Sequence, residues 1–203
     1  MSKKILNITS SLKGDASFSI KLSNAILEKL VAEYPESQVK THDLSKTPSP
    51  YLDELDLAAF YTPADLRTEA QLIALQYSND SIKDLLEADI IVIGVPMYNF
   101  GIPAVLKGWI DQIARAGETF SYGDGSPKGL VTNKKVYLSI ASGAVFSDGP
   151  YKAYDFSEPY LRAVLGFLGM TDITVFRVEG TAIPDFAEGA LPKALASVEE
   201  YVF

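Results

Sequence analysis

The hydrophobic pattern of this chain centres on one nearly unbroken β-branched run: Ile90, Ile91, Val92, Ile93 and Val95. A strand that apolar, without polar alternation, is one buried on both faces, as in a parallel sheet. Pro96 cannot donate a ladder hydrogen bond and ends the run. A polar-aromatic turn follows, Met97-Tyr98-Asn99-Phe100-Gly101. Pro103 then suits the first turn of a helix with Val105, Leu106, Trp109, Ile110 and Ile113 on one face. That face makes Trp109 a packing residue.

The same reading extends along the chain. Residues 3–9 (KKILNIT) form a short strand, and 10–19 (SSLKGDASFS) a loop. Ile20, Leu22, Ala25, Ile26, Leu27, Leu30 and Val31 recur at helical spacing up to Tyr34, and Pro35 stops the helix. A second strand covers 38–44, completing a βαβ unit whose crossover is right-handed. Residues 45–63 are long and irregular, with Tyr51, Phe60 and Tyr61, and read as a lid or an interface. A long helix is predicted over 64–87, with Leu72, Leu75, Ile82, Leu85 and Leu86 inward. After the central strand and its helix, 117–133 is irregular, 134–141 a buried strand and 145–150 a loop. Residues 155–168 form a helix ended by Gly169, 172–178 the last strand and 188–203 a closing helix. Five strands alternating with helices give an α/β fold, a doubly wound five-stranded parallel sheet with helices on both faces. The common strand order 2-1-3-4-5 brings the loops after strands 1, 3 and 4 together at the switch point. No linker or repeat interrupts residues 1–203, so one domain is expected.

Composition narrows the chemistry. The 203 residues are 47% hydrophobic, enough for a full core. A net charge of −8 without clustered Lys or Arg argues against nucleic acid as a partner. The chain has no cysteine, which removes disulfides, thiolate metal sites and cysteine nucleophiles. Its single histidine, His42, reads as an ordinary strand residue. No run is long enough to span a membrane, and the first apolar segment is too short for a signal peptide.

Candidate chemistry falls on the three convergent loops. Ser10, Ser11, Ser17 and Ser19 offer hydroxyls at a helix N-terminus, where free amides and the helix dipole favour an anion. Without a Walker lysine or GxGxxG, one phosphate fits better than a polyphosphate; a plain capping loop is the other reading. Met97, Tyr98 and Phe100 offer flat apolar faces and Asn99 a polar edge, as a planar heteroaromatic ring requires. They also fit a core and a turn. Gly143, in Ser142-Gly143-Ala144, permits close backbone approach. Together the three loops describe a flavin mononucleotide (FMN) site. A flavin-free phosphate-binding scaffold and a flavodoxin-type electron carrier are the alternatives, and the acidic balance fits the carrier.

VPMYNFGIPAVLKGWIDQIARAGETFSY, PKGLVTNKK, Asp148-Gly149-Pro150 and PYLRAVLGFLGMTDI resemble the FMN-dependent NADH-azoreductases, flavodoxin-like reductases of quinones and azo compounds. The likeness covers nearly the whole chain. It implies NADH or NADPH as hydride donor, ping-pong transfer through flavin N5, a cytoplasmic homodimer with shared active sites, and no catalytic side chain. The absence of an Arg cluster leans to NADH. By this resemblance Ser10, Ser17, Phe18 and Ser19 hold the FMN phosphate. Pro96, Met97, Tyr98, Asn99 and Phe100 line the isoalloxazine, and Ala141, Ser142, Gly143 and Ala144 its pyrimidine edge. The family often reads S-R-G-G in that last loop, so its arginine is missing here, and Phe146 stands where a histidine is common. Phe60, Tyr61, Phe120, Tyr122, Phe146 and Phe167 are the implied walls of the substrate pocket.

Overall fold

The computed structural model describes residues 2–123 and 125–203; Met1 and Asp124 lie outside them. Its strands are β1 (Lys4–Thr9), β2 (Gln38–Asp43), β3 (Ile90–Pro96), β4 (Phe120–Gly123), β5 (Ser126–Gly129), β6 (Lys135–Ala141) and β7 (Asp172–Val178). Its α-helices are α1 (Phe18–Glu33), α2 (Glu54–Tyr61), α3 (Glu69–Ala74), α4 (Gln76–Glu87), α5 (Ala104–Ile113), α6 (Glu158–Leu168) and α7 (Pro184–Glu200). Five strands form one sheet in the order β2-β1-β3-β6-β7, every neighbouring pair parallel. The five-stranded order read from the sequence is therefore the one observed.

Strand residues alternate between two cores, because successive side chains leave a strand on opposite faces. Leu6, Ile8, Ile91, Ile93, Val95, Val136, Leu138 and Ile140 meet α4, α5 and α6 on one side. Ile5, Ile90, Val92, Tyr137, Phe176 and Val178 meet α1 and α7 on the other. Every residue of β3 is buried. Trp109 is fully buried in the first core, among α5 neighbours Leu106 and Ile113. His42 lies on the edge strand β2 with Nε2 2.8 Å from Asp84 Oδ2, a contact that ties β2 to α4.

Three predicted segments need correction. Residues 45–63 are not wholly irregular: they contain α2, started by a capping box in which Asp53 and Asp56 each accept the other's backbone N–H. The helix predicted over 64–87 is three pieces, a 3-10 turn at Ala64–Leu66, then α3 and α4. Thr68 opens a fresh helix, its backbone N–H donating to Gln71 Oε1, and α4 starts again at Leu75. Leu72 and Leu86 consequently face solvent, whereas Leu75, Ile82 and Leu85 are buried. Residues 117–133 contain the antiparallel hairpin β4–β5. A Cβ on Gly129 would collide with the backbone of Leu168 and Gly169, so only glycine lets β5 lie against the end of α6. No described helix is long and apolar enough to cross a membrane.

Candidate active site

The parallel registers bring three strand ends to one edge. Pro96 lies opposite Ala141, and Met97 N–H donates to the Ala141 carbonyl at 2.8 Å. Ser142 N–H donates to Val178 O at 2.9 Å, placing the loop after β6 beside the end of β7. The loop after β1 joins from the other side. Ser10 Oγ donates to Gly94 O at 2.8 Å, and Leu12 N–H donates to Tyr98 Oη at 3.3 Å.

At the first loop, Ser17 is the N-cap of α1 and its Oγ accepts from Ile20 N–H. Ser17 Oγ and Ser19 Oγ are 3.0 Å apart. Whichever donates to the other, one hydroxyl proton of the pair remains for an outside acceptor. The amides of Phe18 and Ser19 open the helix, where no intrahelical acceptor exists. An anion is therefore offered a hydroxyl, amides and the positive end of a helix dipole. Ser10 differs: its proton is committed to Gly94 O, so its hydroxyl fixes the loop to β3. Ser139 Oγ donates to the Ser19 carbonyl at 2.7 Å and is 2.7 Å from Ser23 Oγ, pinning the first turn of α1 to β6.

The second loop is a tight reversal. Tyr98 N–H donates to Gly101 O at 3.0 Å, and Gly101 N–H to Tyr98 O at 3.1 Å. Asn99 has φ 50° and Phe100 φ 70°, the pattern of a type I′ turn. Asn tolerates that region; a bulky Phe in it is strained, by about 1–3 kcal/mol. The reversal leaves the Asn99 and Phe100 amides outside the reciprocal pair and presents the Phe100 ring half-exposed. A cavity of about 640 Å³ adjoins this turn, lined by Leu12, Tyr98, Asn99, Ile102, Phe156 and Tyr160 among others. Burial raises the Tyr160 phenol above its ordinary value.

The third loop is laced to the segment after β7. Ala182 N–H donates to Gly143 O at 2.9 Å, and Ser142 Oγ to Ala144 O at 2.8 Å. A Cβ on Gly143 would meet Ala182 Cβ at 3.3 Å, so the glycine serves that close contact. Glu179 accepts the backbone N–H groups of Phe146 at 2.8 Å and Ser147 at 2.9 Å. Arg177 bridges Glu179 at 3.1 Å, Asp155 at 2.5 Å and Glu158 at 2.5 Å. Burial works to raise the Glu158 carboxyl, but the hydrogen bonds from Arg177 and Arg162 outweigh it and hold it below its ordinary value.

Phe146 is the one expected wall residue that the structure sets beside the turn, its ring 6.2 Å from that of Phe100. Phe120, Tyr122 and Phe167 form a separate aromatic group, Phe120 lying 4.6 Å from Phe167 and 5.6 Å from Tyr122. Phe120 and Phe167 pack against the first core, while Tyr122 is exposed. Phe60 lies under the Arg115 guanidinium at 5.1 Å, and Tyr61 is 82% exposed. Arg115 is itself buried, which lowers its pKa, and it donates to Ser78 Oγ and Asn79 Oδ1. Leu12, Phe156 and Glu179 were not singled out from sequence. Phe156 donates its N–H to Phe100 O at 3.1 Å.

The flavodoxin-like family model matches residues 3–202. The FMN-dependent NADH:quinone oxidoreductase of Herminiimonas arsenicoxydans is 47% identical over 199 residues, 98% of this chain and 96% of that protein. That of Agrobacterium fabrum is 45% identical over 197 residues, 97% and 96% of the two. This chain belongs to the flavodoxin-like family of FMN-dependent quinone and azo reductases. Its architecture agrees with solved members. An azoreductase from Bacillus anthracis str. Sterne superposes with a TM-score of 0.89 at 31% identity, over 98% of this chain and 97% of that one. An FMN-dependent NADH-azoreductase from Bacillus anthracis str. Ames Ancestor, solved in complex with FMN, gives 0.82 at 26%, over 97% and 98%. These named relatives are oxidoreductases, which favours the enzyme over the electron-carrier alternative.

Proposed function

We propose that residues 1–203 act as one FMN-binding domain of a cytoplasmic, homodimeric NADH-dependent reductase of quinones and azo compounds. The observation that carries this reading is the convergence of three loops at one sheet edge: an anion-ready helix start, a type I′ aromatic turn and a glycine loop. The residues fit FMN. Ser17, Ser19 and the first amides of α1 hold the phosphate, with Phe18 beside them and Ser10 fixing the loop. Pro96, Met97, Tyr98, Asn99 and Phe100 support the ring, and Ala141, Ser142, Gly143 and Ala144 approach its polar edge. Bound FMN supplies hydride transfer from the nicotinamide to the acceptor. The chain's own part is to bind, orient and present that ring; the free turn amides offer donors where charge gathers on it. The missing loop arginine leaves backbone groups to supply the pyrimidine-edge contacts.

Phe146 forms part of the acceptor wall within the chain. Phe60, Tyr61, Phe120, Tyr122 and Phe167 serve the pocket across the dimer, and the large exposed side chains of 51–73 (Tyr51, Leu55, Leu57, Tyr61, Leu66, Leu72 and Ile73) are the apolar surface a second copy would cover. Steady-state assays test the reading. NADH oxidation by FMN-loaded protein with varied quinone is expected to give parallel double-reciprocal lines; intersecting lines contradict the ping-pong order. A protein that does not take up added FMN contradicts the reading as a whole and supports the flavin-free alternative.

A further inference from the structure

Beside Phe100 and Phe146 the structure carries two further aromatic rings that the site described so far does not use. Residues 149–154 form a 3-10 helix with Tyr151 and Tyr154 at 50% and 51% exposure. The Tyr154 ring lies 5.7 Å from Phe100, and Tyr151 lies 6.1 Å from Phe146. With the 6.2 Å Phe100–Phe146 contact, the four rings run Tyr154–Phe100–Phe146–Tyr151, so the two tyrosines flank the pair at the candidate flavin site on either side. Phe146 is buried and braces the row, whereas the other three keep about half of their surface open.

The segment bearing these rings is clamped at both ends by one side chain. Glu179 holds the Phe146 and Ser147 amides, and Asp155 stands directly after Tyr154. Arg177 is bonded to both carboxylates. Asp155 Oδ1 also accepts from Ser157 and Glu158 N–H, fixing where the 3-10 helix ends and α6 begins. Ordering a surface loop this firmly costs conformational entropy. Rings that only filled a core would be covered; half-open rings held in place against Phe100 and Phe146 mark a binding surface.

We propose that Tyr151 and Tyr154 form a subsite for the outer ring of multi-ring aromatic acceptors, with Arg177 as its positioning residue. The subsite rests on the proposed function, since the acceptor's reacting ring must lie at the flavin held beside Phe100. Its ligand class is a flat, extended aromatic, which offset or edge contacts with these rings recognise and a single-ring acceptor is too short to reach.

The test compares kcat/KM for menadione with kcat/KM for 1,4-benzoquinone in the FMN-loaded protein. In a Tyr151→Ala, Tyr154→Ala double variant the menadione-to-benzoquinone ratio is expected to fall about fivefold or more, the scale of lost aromatic contacts. The fall should come through KM for menadione. The corresponding double Phe variant keeps the rings and is expected to retain the wild-type ratio. Arg177→Lys keeps the charge but loses the fork, and is expected to raise KM for menadione more than for benzoquinone. An unchanged ratio in the double Ala variant overturns the subsite; equal KM changes in Arg177→Lys overturn its positioning role. Wild-type protein that reduces neither quinone overturns the proposed function instead, so the two failures are distinct.

Discussion

At the residue scale the turn after β3 sets function against local comfort. Phe100 sits at φ 70° with its ring half in solvent. Phe100→Gly relieves strain of about 1–3 kcal/mol and loses half-exposed ring contacts of roughly the same size. We expect its thermal midpoint within a few degrees of wild type and its quinone reduction at least about tenfold weaker; a large loss of stability with intact activity contradicts that assignment. Ser17 has two duties, capping α1 and lending a hydroxyl to the candidate phosphate site. Ser17→Ala should cost about 1 kcal/mol in denaturant titration. It should also weaken FMN more than riboflavin, because riboflavin has no phosphate to lose a donor from. Equal weakening of both flavins would remove Ser17 from the phosphate site.

At the scale of elements, close packing explains both what holds and what sequence patterns hid. Gly129→Ala drives a Cβ into the backbone at Gly169, and the β4–β5 hairpin cannot dock without moving. A destabilisation of at least about 3 kcal/mol is expected by chemical unfolding, beyond ordinary overpacking because the clash is with backbone. The Arg177 cluster gives a pH signature. Glu158 has a lowered folded-state pKa, so its stabilising contribution is present above its unfolded value of about 4.3 and is lost as pH falls through the lowered folded value. Glu158→Gln should therefore flatten the acid limb of a stability-versus-pH curve while the curve above pH 6 keeps its shape; an unaltered acid limb would show that the pair contributes nothing there. The central sheet strands were legible because β-branched runs such as Ile90–Val95 are buried on both faces and carry the signal alone, whereas the largely exposed β4–β5 hairpin has no such run. The break between α3 and α4 was not legible, because Leu72, Leu75, Ile82 and Leu86 continue a helical spacing across the junction at Leu75, which only geometry reveals. The Asp53–Asp56 capping box that starts α2 was readable, but lay hidden in a stretch classed by its prolines and length.

For the whole molecule, the sheet order decides where chemistry collects; alternation of strands and helices gave the parallel sheet, and the common order of doubly wound sheets matched the one observed. Sequence motifs found the three loops but not the contacts that lock them together. Ser139 reaching the Ser19 carbonyl joins residues 120 positions apart, and Glu179 meets the Phe146 loop from the next strand. Nor could spacing tell that Phe120, Tyr122 and Phe167 form their own aromatic group while Phe146 joins Phe100. If those rings complete a pocket across two copies, sedimentation at micromolar concentration should give a dimer, and Tyr61→Asp together with Leu66→Asp should shift it toward monomer with loss of activity. A fully active monomer would place the whole acceptor site within one chain. The central claim is that this sheet edge holds an FMN that NADH reduces and a quinone reoxidises. It is tested most directly by adding NADH anaerobically to FMN-loaded protein and following the oxidised flavin band. Fast bleaching that a quinone reverses is expected; bound flavin that bleaches only when a separate reductase is supplied would contradict direct reduction by NADH.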